Sequence, residues 1–499
     1  MKNLISFFLI AVITVSTTFT SCTQPKKQEK ITQLIPSTHS KDATDAFHQG
    51  VMLSDQGDRQ KAREALTKSI EADPKLAIAY AWRAANTSNS TEEFVADMAK
   101  AKENLDGASQ LEKWYYELYE TFATSDVNKR MEISQKMVDS FPDIARSHIE
   151  LGIAYSSQND EAKARDHYQM AIDIDSAFVG AYTVMANSYL FLEPKDFKKA
   201  EQYALKCVTL APSSPGAEIT LGDCYRAEND LDKAREAYAK AVTLDPTSSE
   251  AYYKEGHANT FLGNYDEARK NYADGDKHNE SVVAASDVIA YTYLYAGETK
   301  TALDALIANA HKADSSTKEK SKIDDAKLQY LSDCERIAMH TGDAAGLKNF
   351  MEMTAPLNIA QGDMIGTSEA KLFSEATNLY WQSILAAMEG KYDEATATAE
   401  KIKTTLNPVN DPNKLDQYHF ALGYIAMKQK KYSDAIGHFQ ENHPNNSVYT
   451  QYWLAMANEG AGNKDAANAI YQKLAVYNFN SIDYALIRNE VLKKVKAAA

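Results

Sequence analysis

The chain reads as an all-α protein, a helix-turn-helix solenoid stacked into an α-α superhelix, and three observations predict this. Landmarks recur at a fixed distance: Gly256 follows Gly222 by 34 residues, and Ala186 follows Gly152 by the same 34. Glycine (20) and proline (12) are scarce for 499 residues, as short turns between helices require. The breakers fall at ordered places. Pro74, Pro212, Pro246 and Pro408 cannot continue a helix and mark unit ends. At this length one closed core is not expected, whereas a solenoid grows unit by unit because each unit touches its neighbours.

Each landmark has a physical task. Gly152, Gly222, Gly256 and Gly423 stand where the first helix of a unit presses on the second. Ala164, Ala234, Ala268, Ala395 and Ala435 keep the facing surface small, and Tyr168, Tyr238, Tyr272, Phe439 and Tyr471 fill the space beyond. Tight turns join the paired helices at Gln56-Gly57-Asp58, Gln158-Asn159-Asp160, Glu228-Asn229-Asp230 and Gly263-Asn264-Tyr265. The unit therefore reads Leu-Gly-x-x-Tyr, then Ala-x-x-x-Tyr or Phe, then Pro. That pattern, at a period near 34, resembles the tetratricopeptide repeat. The resemblance covers most of residues 40–475 and implies about nine to eleven helical units.

Taken in order, residues 1–21 form a signal peptide. Lys2 precedes a short apolar stretch, Leu4 to Ile13, too short to span a bilayer. Phe19-Thr20-Ser21-Cys22 resembles a bacterial lipobox. That resemblance implies that Cys22 becomes an acylated N-terminus, and Thr23 after it implies sorting to the outer membrane, facing the periplasm. Residues 22–40 then form the lipidated cysteine and a flexible tether. An N-terminal repeat module occupies 41–142, where Asn86 to Ser90 interrupts the pattern with an irregular insert. The clearest repeats run over 143–280. Degenerate helical repeats fill 281–367, and the polar stretches Ala313 to Ser316 and Gln361 to Asp363 suggest loops at a seam between two solenoid halves. Regular repeats return over 368–476, and 477–499 form a capping helix.

The formal charge of −15 argues against nucleic acid, whose binders carry basic stripes. Once Cys22 is set aside three cysteines remain, an odd number that excludes a complete disulfide framework. Cys207 takes a slot filled by alanine in neighbouring units, which favours buried thiols over a Cys207–Cys224 bridge. No catalytic constellation or metal-ligand set is present, so no enzyme activity, cofactor or metal is expected. His148 reads as a surface residue and His438 with His443 as solvated loop histidines.

In the repeat family, positions on each first helix line a concave groove. Carried over unit by unit, that implies Ile149 and Ile153, then Asn187 and Phe191, then Arg226, then Tyr253, His257 and Phe261. The C-terminal half contributes Tyr380, Phe420, Tyr424 and Tyr452. Such aromatic surfaces suit extended peptides or helices. One subfamily grips C-terminal carboxylates, but Thr183 and Ile219 replace the basic partners of Asn187. The expected function is a lipid-anchored envelope scaffold that binds a protein or peptide partner. The alternative is an outer-membrane glycan-binding lipoprotein of the starch-utilisation type, for which the four tryptophans would have to form sugar platforms.

Overall fold

The computed structural model of the protein describes residues 34–279, 286–443 and 447–498. The signal peptide, Cys22, the first part of the tether and the boundary at residue 280 lie outside the described residues. No strand occurs among those described, and none of their helices is long and apolar enough to cross a membrane.

The helices follow one another in antiparallel pairs. The first three pairs are α1 (Lys41–Asp55) with α2 (Arg59–Ala72), α3 (Ala77–Thr87) with α4 (Thr91–Glu103), and α5 (Gln110–Thr124) with α6 (Val127–Ser140). Next come α7 (Ala145–Ser156) with α8 (Glu161–Ile174), α9 (Val179–Phe191) with α10 (Phe197–Leu210), and α11 (Pro215–Ala227) with α12 (Leu231–Leu244). The middle holds α13 (Ser249–Leu262) with α14 (Tyr265–Asp276), α15 (Ser286–Tyr295) with α16 (Thr299–Ser316), and α17 (Lys320–Thr341) with α18 (Ala344–Ile365). The last pairs are α19 (Ser368–Met388) with α20 (Tyr392–Thr405), α21 (Asp416–Lys428) with α22 (Tyr432–Glu441), and α23 (Val448–Gly460) with α24 (Lys464–Ala475). A single helix, α25 (Ile482–Ala498), ends the chain. Among the described residues the pairs number twelve, just above the nine to eleven units read from the sequence.

Local chemistry sets the boundaries. Several second helices begin on an aspartate whose carboxylate accepts the N–H three residues on, among them Asp58 from Lys61 (3.1 Å), Asp160 from Lys163 (3.2 Å), Asp196 from Lys199 (3.0 Å) and Asp230 from Lys233 (3.3 Å). These bonds satisfy backbone donors that a helix start leaves open. Asn159 and Asn229, just before two of those caps, take the left-handed conformation at φ 61° and 62°, which asparagine tolerates. Within a pair, the glycine of the first helix makes room for the ring of the second. A Cβ at Gly256 or Gly423 would lie 2.5 Å from Tyr272 or Phe439, and one at Gly152 or Gly222 would run into Tyr168 or Tyr238.

Three sequence expectations change. Asn86 to Ser90 is not an insert; it is the end of α3 and the turn to α4, so two ordinary pairs fill residues 77–140. The polar stretches at 313–316 and 361–363 are not loops but lie in α16 and α18. Helices α16 to α19 run 18, 22, 22 and 21 residues, which stretches the period beyond recognition. Gly362 serves close packing there, since a Cβ would stand 2.5 Å from Ser374 Oγ. The end of the tether is docked rather than free. Leu34 and Pro36 are buried, and Ser37 N–H donates to Glu112 Oε1 at 2.9 Å.

The superhelix turns far enough for distant units to meet. Thr91 N–H donates to Asp325 Oδ2 (2.9 Å), Thr367 Oγ1 to Ala123 O (2.7 Å) and Val127 N–H to Asn410 O (3.3 Å). The α1–α2 corner reaches α7, the α12–α13 turn and α11 through the ion pairs Asp55–Arg146 and Lys61–Asp245 and through Gly216, whose missing side chain leaves room for Gln56 O. Helix α25 does more than cap: it packs against α15, α17 and α23 as well as α24. A continuous hydrophobic core runs from Phe261 to Val491, and a separate one centres on Trp82.

Two glycine substitutions should move stability in opposite directions. Gly222→Ala drives a methyl into Tyr238 and should cost about 1–3 kcal/mol. Gly437→Ala, in α22 with nothing near its Cβ, should gain about 0.5–1 kcal/mol. Urea denaturation midpoints of the two variants check this.

Candidate functional site

The groove residues implied by the repeat pattern divide into three groups. Tyr380, Phe420, Tyr424 and Tyr452 are 4%, 5%, 0% and 3% exposed and belong to the long core. Tyr380 packs on Trp381, Phe420 on Phe439 and Tyr449, and Tyr424 edge-on to Trp453. These four are therefore corrected from groove to core. Their rings meet the next pair instead of a partner, because successive first helices in this half lie close enough to interdigitate.

The second group faces inward but is covered by the chain's own C-terminal segment. Asn478 Nδ2 donates to Asn229 Oδ1 (2.7 Å) and Arg226 O (3.3 Å). Phe479 lies edge-on to Phe191 (5.0 Å between centroids), with the Arg226 guanidinium 4.6 Å from its ring. Asn480 Nδ2 reaches His257 Nδ1 at 3.1 Å, and Tyr484 with Arg488 cover Phe261. Phe191 keeps 40% exposure, while Arg226 and Phe261 keep 2% and 5%. Sequence reasoning missed this occupant. Its only signal was an aromatic residue between two asparagines in a linker, Asn478-Phe479-Asn480.

The third group lines open space. Tyr253 and His257 border a chamber of about 830 Å³ between the two ends of the superhelical turn. The α1–α2 turn supplies Asp58, Arg59 and Lys61; the α3–α4 turn supplies Ser88 to Ser90; α13 supplies Glu250, Tyr253, Lys254 and His257; α17 and α18 supply Asp325, Gln329 and Gln361. Ile149 and Ile153 border a smaller cavity of about 240 Å³. Asn187, half-buried on α9, borders neither.

The chamber's floor is held by an ionic hub. Asp223 accepts hydrogen bonds from Tyr238 Oη (2.6 Å), Arg226 Nη2 (2.8 Å) and Lys254 Nζ (2.8 Å). Burial opposes ionisation of Asp223, but the Lys254 and Arg226 cations outweigh it and hold the carboxyl down at about 2. His257 is held well below the usual imidazole range by burial and by the same two cations, so it is neutral, with Nδ1 2.9 Å from Tyr272 Oη.

Elsewhere the histidine expectations shift. His148 is not a surface residue; it is buried and stacked on His167 at 5.5 Å. His438 lies in α22 rather than in a loop, its ring tilted against His419 at 5.8 Å, and His443 bonds Asp416 Oδ1 at 2.8 Å. Cys207, Cys224 and Cys334 are buried free thiols. Trp82 and Trp381 are buried, and Trp114 and Trp453 half-buried, so none stands out as an open platform.

The hub sets an acid response. A carboxyl lowered to about 2 on folding contributes stability that is complete above the ordinary carboxylate range and is lost as pH falls from about 4 toward 2, roughly 2 kcal/mol in all. Asp223→Asn strands two buried cations and should cost about 3 kcal/mol at neutral pH. Its melting temperature should then fall less than that of the wild type between those two acid pH values, as thermal scans would read.

Sequence comparisons agree with the helical pairing. Tetratricopeptide repeat profiles match residues 47–76, 249–275 and 449–477, and a TPR repeat profile matches 222–260. No curated protein matches the chain. Solved structures similar to it include MamA, at 20% identity over 32% of this chain and 93% of that one, with a TM-score of 0.28. YrrB, described as a TPR protein with an unusual peptide-binding site, is 23% identical over 36% of this chain and 92% of its own, with a TM-score of 0.27. The Cut9–Hcn1 hetero-tetramer of APC/C covers 91% of this chain and 76% of that one at 13% identity and a TM-score of 0.42. The recurring helix pairs and the matched repeats make the fold an all-α superhelix of tetratricopeptide type.

Proposed function

We propose that the protein is a non-enzymatic scaffold, anchored to a bacterial outer membrane through acyl chains on Cys22, that binds an extended segment of a partner protein on its periplasmic side. Tetratricopeptide solenoids use their concave surfaces for binding, and the observation that carries this reading is the chamber lined by Tyr253 and His257. Its walls alternate in sign, Arg59, Lys61 and Lys254 against Asp58, Glu250 and Asp325. Between them stand amide and hydroxyl groups of Ser88, Asn89, Ser90, Gln329 and Gln361. A polypeptide backbone, carrying a donor and an acceptor on each residue, matches such a surface. A nucleic acid does not, because the chain's −15 charge repels phosphate. A sugar reader needs open aromatic faces, and the buried indoles of Trp82 and Trp381 do not offer them.

The test uses Glu64 and Gln329, both exposed at the chamber's edge. A photo-crosslinking side chain at position 329 should capture a defined envelope protein, and Glu64→Arg should reduce that capture while leaving helicity unchanged. No protein adduct, with retention on a carbohydrate array, would replace this reading with glycan binding. Anchoring is tested separately: Cys22→Ala should abolish metabolic palmitate labelling and release the protein from membranes, and an unlabelled wild type would remove the anchor.

A further inference from the structure

The smaller cavity, of about 240 Å³, lies among α1, α3, α5, α6, α7 and α9 and carries charges that face one another without all being joined in direct ion pairs. Its lining includes Asp55, Trp82, Tyr119, Arg130, Arg146 and Glu150. Asp55 and Arg146 satisfy each other as an ion pair, and the Arg146 guanidinium is sandwiched 5.0 Å from Trp82 and 4.9 Å from Phe178. That leaves one carboxylate and one guanidinium.

Glu150 is 8% exposed and has no hydrogen bond or ion pair among the described residues. A buried carboxylate without a partner is costly. Burial pushes its carboxyl up to about 7, with Arg146 holding it below where burial alone would put it. Packing does not require an acid at this place. Glu150 stands two residues before Gly152; the same place before Ala186, Gly222 and Gly256 holds Val184, Thr220 and Lys254. Arg130 has the complementary problem. Its Nε donates to Thr121 Oγ1 (3.1 Å) and its Nη1 to Ser157 Oγ (2.9 Å), both neutral, and no carboxylate pairs with it among the described residues. The indole Nε1–H of Trp82, a third lining residue, is buried without an acceptor.

We infer that this cavity binds a small zwitterion of amino-acid size, its ammonium on Glu150 and its carboxylate on Arg130. A simple cation would face Arg130 and Arg146, and a simple anion would face Glu150 and Asp55. A ligand carrying both charges satisfies both, and the rings of Trp82, Tyr119 and Phe122 supply an apolar wall for its side chain. The site is separate from the chamber lined by Tyr253 and does not depend on the scaffold reading.

The experiment is isothermal titration calorimetry of the folded chain with L-phenylalanine and L-leucine. Phenethylamine, which lacks the carboxylate, and N-acetyl-L-phenylalanine, which lacks the ammonium, are the controls. The expected result is saturable binding of at least one zwitterion at one per chain, with each control weaker by about tenfold or more. Glu150→Gln preserves shape and removes a buried charge, so it should melt no lower than wild type while losing about tenfold or more in affinity. Arg130→Gln should lose affinity for the zwitterion without losing it for phenethylamine. Absence of saturable binding by either amino acid, equal binding of the N-acetyl control, or undiminished affinity in Glu150→Gln overturns the assignment.

Discussion

The interlock between a glycine on the first helix and an aromatic ring on the second is the contact on which the rest of this structure depends. Tyr168, Tyr238, Tyr272 and Phe439 each occupy the space that a Cβ on Gly152, Gly222, Gly256 or Gly423 would need. The pair recurs in four of the units and sets how closely their two helices approach, while small rotations between stacked units accumulate into a superhelix. The curvature is thus a property of a few side-chain volumes repeated in register.

Closure follows from that curvature, and it changes what the concave surface is for. Once the turn brings α4 and α5 against α17 to α19, and the α1–α2 turn against α9 to α13, the inside is no longer an open trough. Much of it is filled by Asn478, Phe479, Asn480 and Tyr484, which bond to Asn229, Arg226, His257 and Tyr295. What stays open are two spaces with different chemistry. The larger is polar and mixed in charge. The smaller has aromatic walls and two charges without counterparts. A regular stack of these helices has no reason to build either one; both exist because distant units meet imperfectly.

This explains how much was legible in the sequence. The pairing of α7 to α14 was readable because the glycine, alanine and aromatic positions keep their spacing there and the turns carry Asn or Gly before an aspartate cap. Helices α16 to α18 were legible only as degenerate pairs, because their extra turns break the period while Ser315, Ser316 and Gly362 imitate loop composition inside helices. Within the site, Tyr253 and His257 were assigned to the inner face and do line the chamber. Tyr380, Phe420, Tyr424 and Tyr452 were assigned by the same rule and lie in the core, since repeat position tells which way a side chain points but not what stands in front of it. The residues opposite, from Arg59 to Gln361, come from units far apart in sequence and carry no local pattern that would place them together.

The departures from the repeat are therefore more informative than the repeat itself. At positions where the pattern demands a small or aromatic residue, the side chain is accounted for by packing, and its presence says nothing about ligands. Glu150 and Arg226 stand at positions that packing leaves free, yet their environments differ sharply. Arg226 is buried with Asp223, Tyr238 and Phe479 around it, so its charge is compensated and its role is structural. Glu150 is buried too, but only the more distant Arg146 and Arg130 offset its charge, with no direct ion pair or hydrogen bond. Two titratable groups buried in the same architecture, one in a direct ion pair and one not, separate a charge that holds the fold together from one open to a counterpart from outside it.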